Sequence, residues 1–217
     1  NPAGERVNDV NTITEIQQHG ESPGTDILYR NNGPTPSPNG EGRGEPARTT
    51  QSGRVTFTDV SKEAGILKEG YSLGAAISDV NNDGWPDIYV SNDFLSSDIL
   101  YINNGHSPSP LGEGRGEVTF SDKTHESLKH TSFASMGSDV ADFNNDGLPD
   151  IYTLDMLPED NFRKKMIIPS ASYDKFQLLL QKGYEPQYTR NALQLNNGSS
   201  PSPNGEGRGE VTFSDIA

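Results

Sequence analysis

Asp79-Val80-Asn81-Asn82-Asp83-Gly84-Trp85-Pro86-Asp87-Ile88-Tyr89 and Asp142-Phe143-Asn144-Asn145-Asp146-Gly147-Leu148-Pro149-Asp150-Ile151-Tyr152 are two copies of one pattern, D-x-N-x-D-G-x-P-D followed by Ile-Tyr. Side chains bearing oxygen recur at positions 1, 3, 5 and 9, and a glycine stands at position 6. Short loops that wrap oxygens around a hard cation such as Ca²⁺ are built this way, the glycine allowing the sharp turn. The position-7 carbonyl, of Trp85 or Leu148, is expected to add a further oxygen. The flanks separate this loop from an EF-hand, which needs a bidentate Glu at position 12 and a helix on each side. Position 12 is Val90 in one copy and Thr153 in the other, so neither supplies a carboxylate, and dockerin-type loops fail by the same test. The β-branched and aromatic residues after each loop, and the small and apolar alternation before it, predict a loop closing a β-hairpin.

The repetition reaches past the loops. Leu28-Tyr29-Arg30-Asn31-Asn32-Gly33, Leu100-Tyr101-Ile102-Asn103-Asn104-Gly105 and Leu193-Gln194-Leu195-Asn196-Asn197-Gly198 are three copies of a second segment. Thr56-Phe57-Thr58-Asp59, Thr119-Phe120-Ser121-Asp122 and Thr212-Phe213-Ser214-Asp215 are three of a third. Asn-Gly is a signal for a two-residue turn between strands. Phe57 and Phe120 are 63 residues apart, as are Asp79 and Asp142, whereas Phe120 and Phe213 are 93 apart. A fixed period with about four strands per unit points to propeller blades or a β-solenoid.

In this order, the loops, the Ile-Tyr strand, Asn-Asp-Phe, Leu-Tyr-x-Asn-Asn-Gly and Thr-Phe-x-Asp resemble FG-GAP or VCBS repeats. Such repeats also build the calcium-binding β-propeller of integrin alpha subunits. The segments Ser135–Gly137 through Asp160 and Tyr184 through Asn191 are similar to bacterial secreted proteins, Bacteroidetes-like members among them, that pair such repeats with an ASPIC/UnbV segment; that segment is not seen here. The resemblance covers most of residues 24–217. It implies an all-β fold: a partial β-propeller of about three blades of four-stranded antiparallel sheet, with calcium-binding hairpin loops and a short helical insertion. It also implies two Ca²⁺ sites, one from Asp79, Asn81, Asp83, the Trp85 carbonyl and Asp87, the other from Asp142, Asn144, Asp146, the Leu148 carbonyl and Asp150. Residues 1–217 are read as part of a larger propeller cut at both ends, the remaining blades lying on either side, because a ring needs at least four.

Two regions depart from the repeat. Residues 35–45, 107–117 and 200–210 are nearly identical Pro-Ser-Pro-x-Gly-Glu-Gly-Arg-Gly-Glu stretches, while their surroundings have diverged. They are read as late insertions forming disordered loops over 34–54, 106–117 and 199–210, tolerated because loop closure costs about 0.6 kcal/mol per doubling of length. A glycine-rich phosphate cradle is the alternative for Gly40-Glu41-Gly42-Arg43-Gly44, but the strand before, the helix after and the Lys-Ser/Thr are missing. Residues 156–190 carry a helical insertion. Acids precede bases from Glu159 to Lys165, and Phe176, Leu179 and Leu180 fall at helical spacing before Gly183. It is either a ligand-facing cap offering Arg163, Lys164, Lys165, Tyr184, Tyr188 and Arg190, or a packed excursion with solvated charges.

Composition limits the function classes. The 217 residues carry a formal net charge of −14 and no cysteine, which excludes disulfides and thiolate metal sites and argues against nucleic-acid or anionic-membrane partners. No apolar run is long enough to span a membrane. The histidines His19, His106, His125 and His130 are scattered, and no G-x-S-x-G or H-E-x-x-H occurs. Ser135-Met136-Gly137 is only faintly like a nucleophile elbow, and no residue is assigned a catalytic role. The expectation is a calcium-stabilised module, secreted, periplasmic or at the bacterial cell surface. Its signal peptide would lie outside these residues, and its role would be to bind protein or glycan without catalysis, as in cell adhesion. The alternative is a carbohydrate-active enzyme with a site between blades, in which Asp93 and Asp155 would pair with other carboxylates.

Overall fold

The computed structural model describes residues 26–34, 55–106, 117–166, 173–201 and 208–216. β1 (Tyr29–Pro34) pairs antiparallel with β2 (Val55–Asp59), and the one-turn helix α1 (Ser61–Ala64) follows. β3 (Tyr71–Ser78), β4 (Asp87–Asp93), β5 (Ile99–His106) and β6 (Val118–Asp122) form a four-stranded antiparallel meander, closed by α2 (Thr124–Ser127). The short β7 (Thr131–Ser132) leads into β8 (Ser135–Ala141) and β9 (Asp150–Asp155). After α3 (Asn161–Met166), α4 (Tyr173–Gln181) and β10 (Gln187–Tyr188), β11 (Ala192–Pro201) and β12 (Arg208–Asp215) complete a second meander, β8-β9-β11-β12. The fold is all-β and propeller-like: the described residues form two four-stranded blades preceded by a two-stranded pair, β1-β2, equivalent to the last two strands of a blade, and among them no barrel closes. No described helix is long and apolar enough to cross a membrane.

Blades stack through their faces. β8 of the third blade lies against β3 and β4 of the second. Val80, Tyr89, Leu100 and Leu128 of the second blade meet Ile151, Val211 and Phe213 of the third in one buried cluster. A matching cluster of Ala64, Ile66, Val90, Ile99 and Tyr101, with Leu28 and Phe120 against it, joins the first blade to the second. Each blade sheds water from an apolar face that it cannot cover alone.

Polar clasps repeat across these interfaces. Ser72 Oγ of β3 donates to Asp26 Oδ2 at 2.8 Å, and its counterpart 63 residues on, Ser135 Oγ of β8, donates to Asp98 Oδ2 at 2.9 Å. Asp98 is fully buried. It also accepts from the Asn92 amide at 2.9 Å and the Tyr89 hydroxyl at 2.7 Å, and burial above all pushes its carboxyl up to about 6. In the third blade Asn191 stands at the equivalent position and accepts from the Asp155 amide at 2.9 Å.

Two sequence expectations need correcting. Asn-Asn-Gly is not the hairpin tip. Gly105, at φ +75°, makes a bulge inside β5, its amide donating to Asn103 Oδ1 at 2.9 Å, and pairing resumes at His106 with Val118. A glycine in the left-handed region at a bulge lets the ladder continue where a tight turn would end it. The expected inserted loops are consequently shorter. Pro34 pairs with Val55, and β11 and β12 stay paired through Pro201 and Arg208, so strand reaches into 199–210 from both ends. The remaining parts of those inserts, residues 35–54, 107–116 and 202–207, lie outside the described residues.

Candidate metal centre

Both acidic loops close hairpins, with Ser78 opposite Asp87 and Ala141 opposite Asp150 at their bases. Asn82 and Asn145 take φ of 55° and 60°, and Gly84 and Gly147 take 90° and 86°, so each loop turns through two left-handed residues. The internal bonds coincide one for one. Asp79 Oδ1 accepts from the Asp83 amide at 2.9 Å and Asp79 Oδ2 from the Gly84 amide at 2.7 Å. Asp142 accepts from Asp146 and Gly147 at 3.0 and 2.9 Å. Asn81 and Asn144 accept from the same Asp83 and Asp146 amides at 3.0 and 2.9 Å. Asp83 and Asp146 accept from the position-7 amides of Trp85 and Leu148, each at 2.8 Å. The bonds that shape each loop run between residues no more than five apart, so the conformation is written locally by the Asx turns and the glycine.

The position-9 carboxylates sit deeper. Asp87 and Asp150 are essentially without exposure, and each bridges its loop to the next strand of the blade. Asp87 accepts from the Val80 amide at 2.9 Å and the Asn103 amide of β5 at 2.8 Å. Asp150 accepts from the Phe143 amide at 2.9 Å and the Asn196 amide of β11 at 2.8 Å. Burial chiefly, with the charges of Asp83 and Asp79 adding to it, pushes the Asp87 carboxyl up to about 6. Among the described residues no Lys, Arg or His is ion-paired to any of the six loop carboxylates. Their oxygens are turned to amides of the loop and of the next strand, and no three acidic or histidine side chains among the described residues gather about one point that could hold an ion. The donor set nevertheless fits a hard divalent cation in kind. It is all oxygen, three carboxylates and an amide in each loop, the carboxylates keep lone pairs beyond the amides they accept, and among the described residues no cationic side chain is ion-paired to this clustered negative charge.

A profile described as an FG-GAP-like repeat matches residues 79–153, from the first aspartate of one loop through the strand after the other. The chain carries an FG-GAP-like repeat. The match covers about a third of the chain and supports the repeat, while the ASPIC/UnbV pairing stays an expectation. Compared with curated proteins, the chain has no match. In this FG-GAP-like unit the loops are the functional candidates, and their supporting asparagines are what sequence reasoning missed. Asn103 and Asn196 open the Asn-Asn-Gly triplet that reads as a turn. Asn103 Nδ2 in fact donates to the Pro86 carbonyl at 3.0 Å, and Asn196 Nδ2 to the Pro149 carbonyl at 2.9 Å, so each braces its own loop. The signal was the doubled asparagine itself. The second one, Asn104 or Asn197, serves the exposed ladder by bonding Thr119 and Ser121 or Thr212 and Ser214.

The insertion divides in two. Arg163, Lys164 and Lys165 lie on α3, which has no buried residue. Tyr184, Tyr188 and Arg190 belong to a packed stretch: β10 runs parallel to β7, and buried Gln187 donates to the Leu95 carbonyl and to Ser97 Oγ, both at 3.1 Å. Arg190 is paired with Asp215 and lies over the Tyr188 ring. Burial, with Glu69 nearby, pushes the Tyr184 hydroxyl up to about 12. Asp155 is buried and accepts from Ser132 Oγ at 2.5 Å and from the Phe133 and Ala134 amides at 3.1 Å, while Asp93 accepts from the Phe94 amide at the surface.

Proposed function

We propose that this FG-GAP-like chain is a calcium-stabilised propeller module of the cell exterior that binds protein or glycan and carries out no reaction itself. The observation that carries the reading is the bond-for-bond identity of the two loops, each with an all-oxygen side-chain donor set of Asp, Asn, Asp and Asp at positions 1, 3, 5 and 9. Asp79, Asn81, Asp83, Trp85 and Asp87 would hold one Ca²⁺, and Asp142, Asn144, Asp146, Leu148 and Asp150 the other. The ion would supply positive charge that clamps the hairpin and lets the position-9 carboxylates stay ionised at low exposure. Without a position-12 Glu, affinity belongs near the extracellular range of about 10⁻⁴ to 10⁻³ M.

Further blades are the first partners in this reading. Val140 of β8 packs against the buried cluster between second and third blades, whereas its counterpart 63 residues earlier, Ile77 of β3, is 70% exposed. For the external ligand, two clefts flank Trp85. One of about 450 Å³ between second and third blades is lined by Asp83, Lys123 and Glu210, and one of about 600 Å³ between first and second by Tyr29, Arg30 and His106. The test is incubation with a polysaccharide and protein panel, with calcium or with chelator. Calcium-dependent retention without new reducing ends supports the reading, and product formation favours the enzyme alternative.

A further inference from the structure

The two loops are not independent in the fold. Asn196 is 3% exposed, and its side-chain amide divides its donors between two metal loops. One reaches the Pro149 carbonyl of its own blade at 2.9 Å, and the other reaches the Val80 carbonyl of the preceding blade at 2.7 Å. Both ends of that bridge touch a position-9 carboxylate. The Asn196 backbone amide donates to Asp150 Oδ1 at 2.8 Å, and the Val80 amide donates to Asp87 Oδ2 at 2.9 Å. The Asn196 Oδ1 is occupied by the Gly198 amide at 2.8 Å, which fixes the orientation of the side chain. Ser199 Oγ, at 3.5 Å from the Asn81 carbonyl, makes a longer contact in the same direction. An unbroken line of hydrogen bonds therefore runs Asp150, Asn196, Val80, Asp87.

We propose that Asn196 is a positioning residue that couples the two loops across the blade interface, so that an ion at one raises the affinity of the other. The proposal rests on the calcium reading above. An ion in the second loop holds Asp150, which holds the Asn196 amide. The Asn196 side chain then holds the Val80 carbonyl, and so the backbone of the residue whose amide donates to Asp87. Ordering done once by the first ion is not repeated by the second, which is positive cooperativity, and the coupling must be reciprocal.

Trp85, the single tryptophan of the chain, sits at position 7 of the first loop, and the second loop holds none, so its fluorescence follows the first loop. Calcium titrations of the full chain are read at Trp85 for the wild type, Asp146→Ala, Asn196→Ala and the double variant. Asp146→Ala, in the other blade, is expected to raise the calcium midpoint of Trp85 by about fivefold or more, within the usual span of such couplings. In the Asn196→Ala background the same change is expected to move the midpoint by less than about twofold. Asn196→Ser, which can reach at most one of the two carbonyls, gives the same reading should the alanine variant fail to fold. An Asp146→Ala midpoint equal to wild type overturns the coupling, and a shift that persists without Asn196 overturns the role given to Asn196; either leaves the calcium reading standing. A Trp85 signal indifferent to calcium in the wild type overturns both.

Discussion

Removing the Asp98 carboxylate by Asp98→Ala tests the blade clasp and gives stability a definite pH dependence. The change deprives three buried donors of their acceptor: the Asn92 amide, the Tyr89 hydroxyl and the Ser135 hydroxyl. Tyr89 retains Thr153 Oγ1 at 3.1 Å, so two donors are left unpaired, at about 1–3 kcal/mol each. Against this, the folded state carries a buried charge. Because the folded carboxyl titrates near 6 rather than near 3.8, the native state binds a proton that the unfolded chain has released between those values. The contribution of Asp98 is therefore full below about pH 4 and declines as pH rises to 6, by about 3 kcal/mol at about 1.4 kcal/mol per pH unit. The alanine variant should lose about 1–3 kcal/mol at pH 7, and more at pH 4.5. Asp98→Asn, which mimics the Asn191 of the next blade, should stay within about 1 kcal/mol of wild type at pH 7 and flatten the slope. Urea unfolding at pH 4.5, 5.5 and 7, read by Trp85 fluorescence at constant calcium, measures all three. Equal slopes in wild type and Asp98→Asn, or an asparagine as damaging as alanine, would refute the reasoning.

Gly65→Ala should cost about 1–3 kcal/mol in thermal unfolding, because its φ is +83° and a Cβ would stand 2.6 Å from the Phe120 carbonyl oxygen. Gly137→Ala, with nothing within 4 Å, should stay within about 0.5 kcal/mol. Asp83→Ala and Asp146→Ala should each abolish one calcium equivalent in equilibrium dialysis; loss of both from a single change would mean the loops form one site. Replacing 107–116 by an Asp-Gly turn, with His106 kept because it pairs with Val118, should alter stability by less than about 2 kcal/mol. A larger loss in urea unfolding would mean those residues pack.

What the sequence made legible is what the chain writes locally. The loops are short, their Asx turns and left-handed glycines form within nine residues, and so the hairpins of β3–β4 and β8–β9 could be placed from D-x-N-x-D-G-x-P-D alone. The all-β repeat followed from the recurrence of those residues. The roles of residues acting across blades were not legible. Asp26-Ile27-Leu28-Tyr29 and Asp98-Ile99-Leu100-Tyr101 are the same tetrad, yet the serine that each aspartate holds lies 46 or 37 residues further on in another sheet. Asn196 reaches Val80 across 116 residues. Asn-Asn-Gly was misread for a related reason. The dipeptide preference describes a turn, and only the partner strand, still paired at His106 and Val118, makes it a bulge.

The most direct measurement is calorimetric titration of the full chain with calcium, coupled to thermal melting in the same buffers. The account predicts two equivalents bound near 10⁻⁴ to 10⁻³ M, and a folded state stabilised by about 1.4 kcal/mol per site when free calcium is tenfold above Kd. Absence of binding heat together with a melting temperature unmoved by calcium would contradict it.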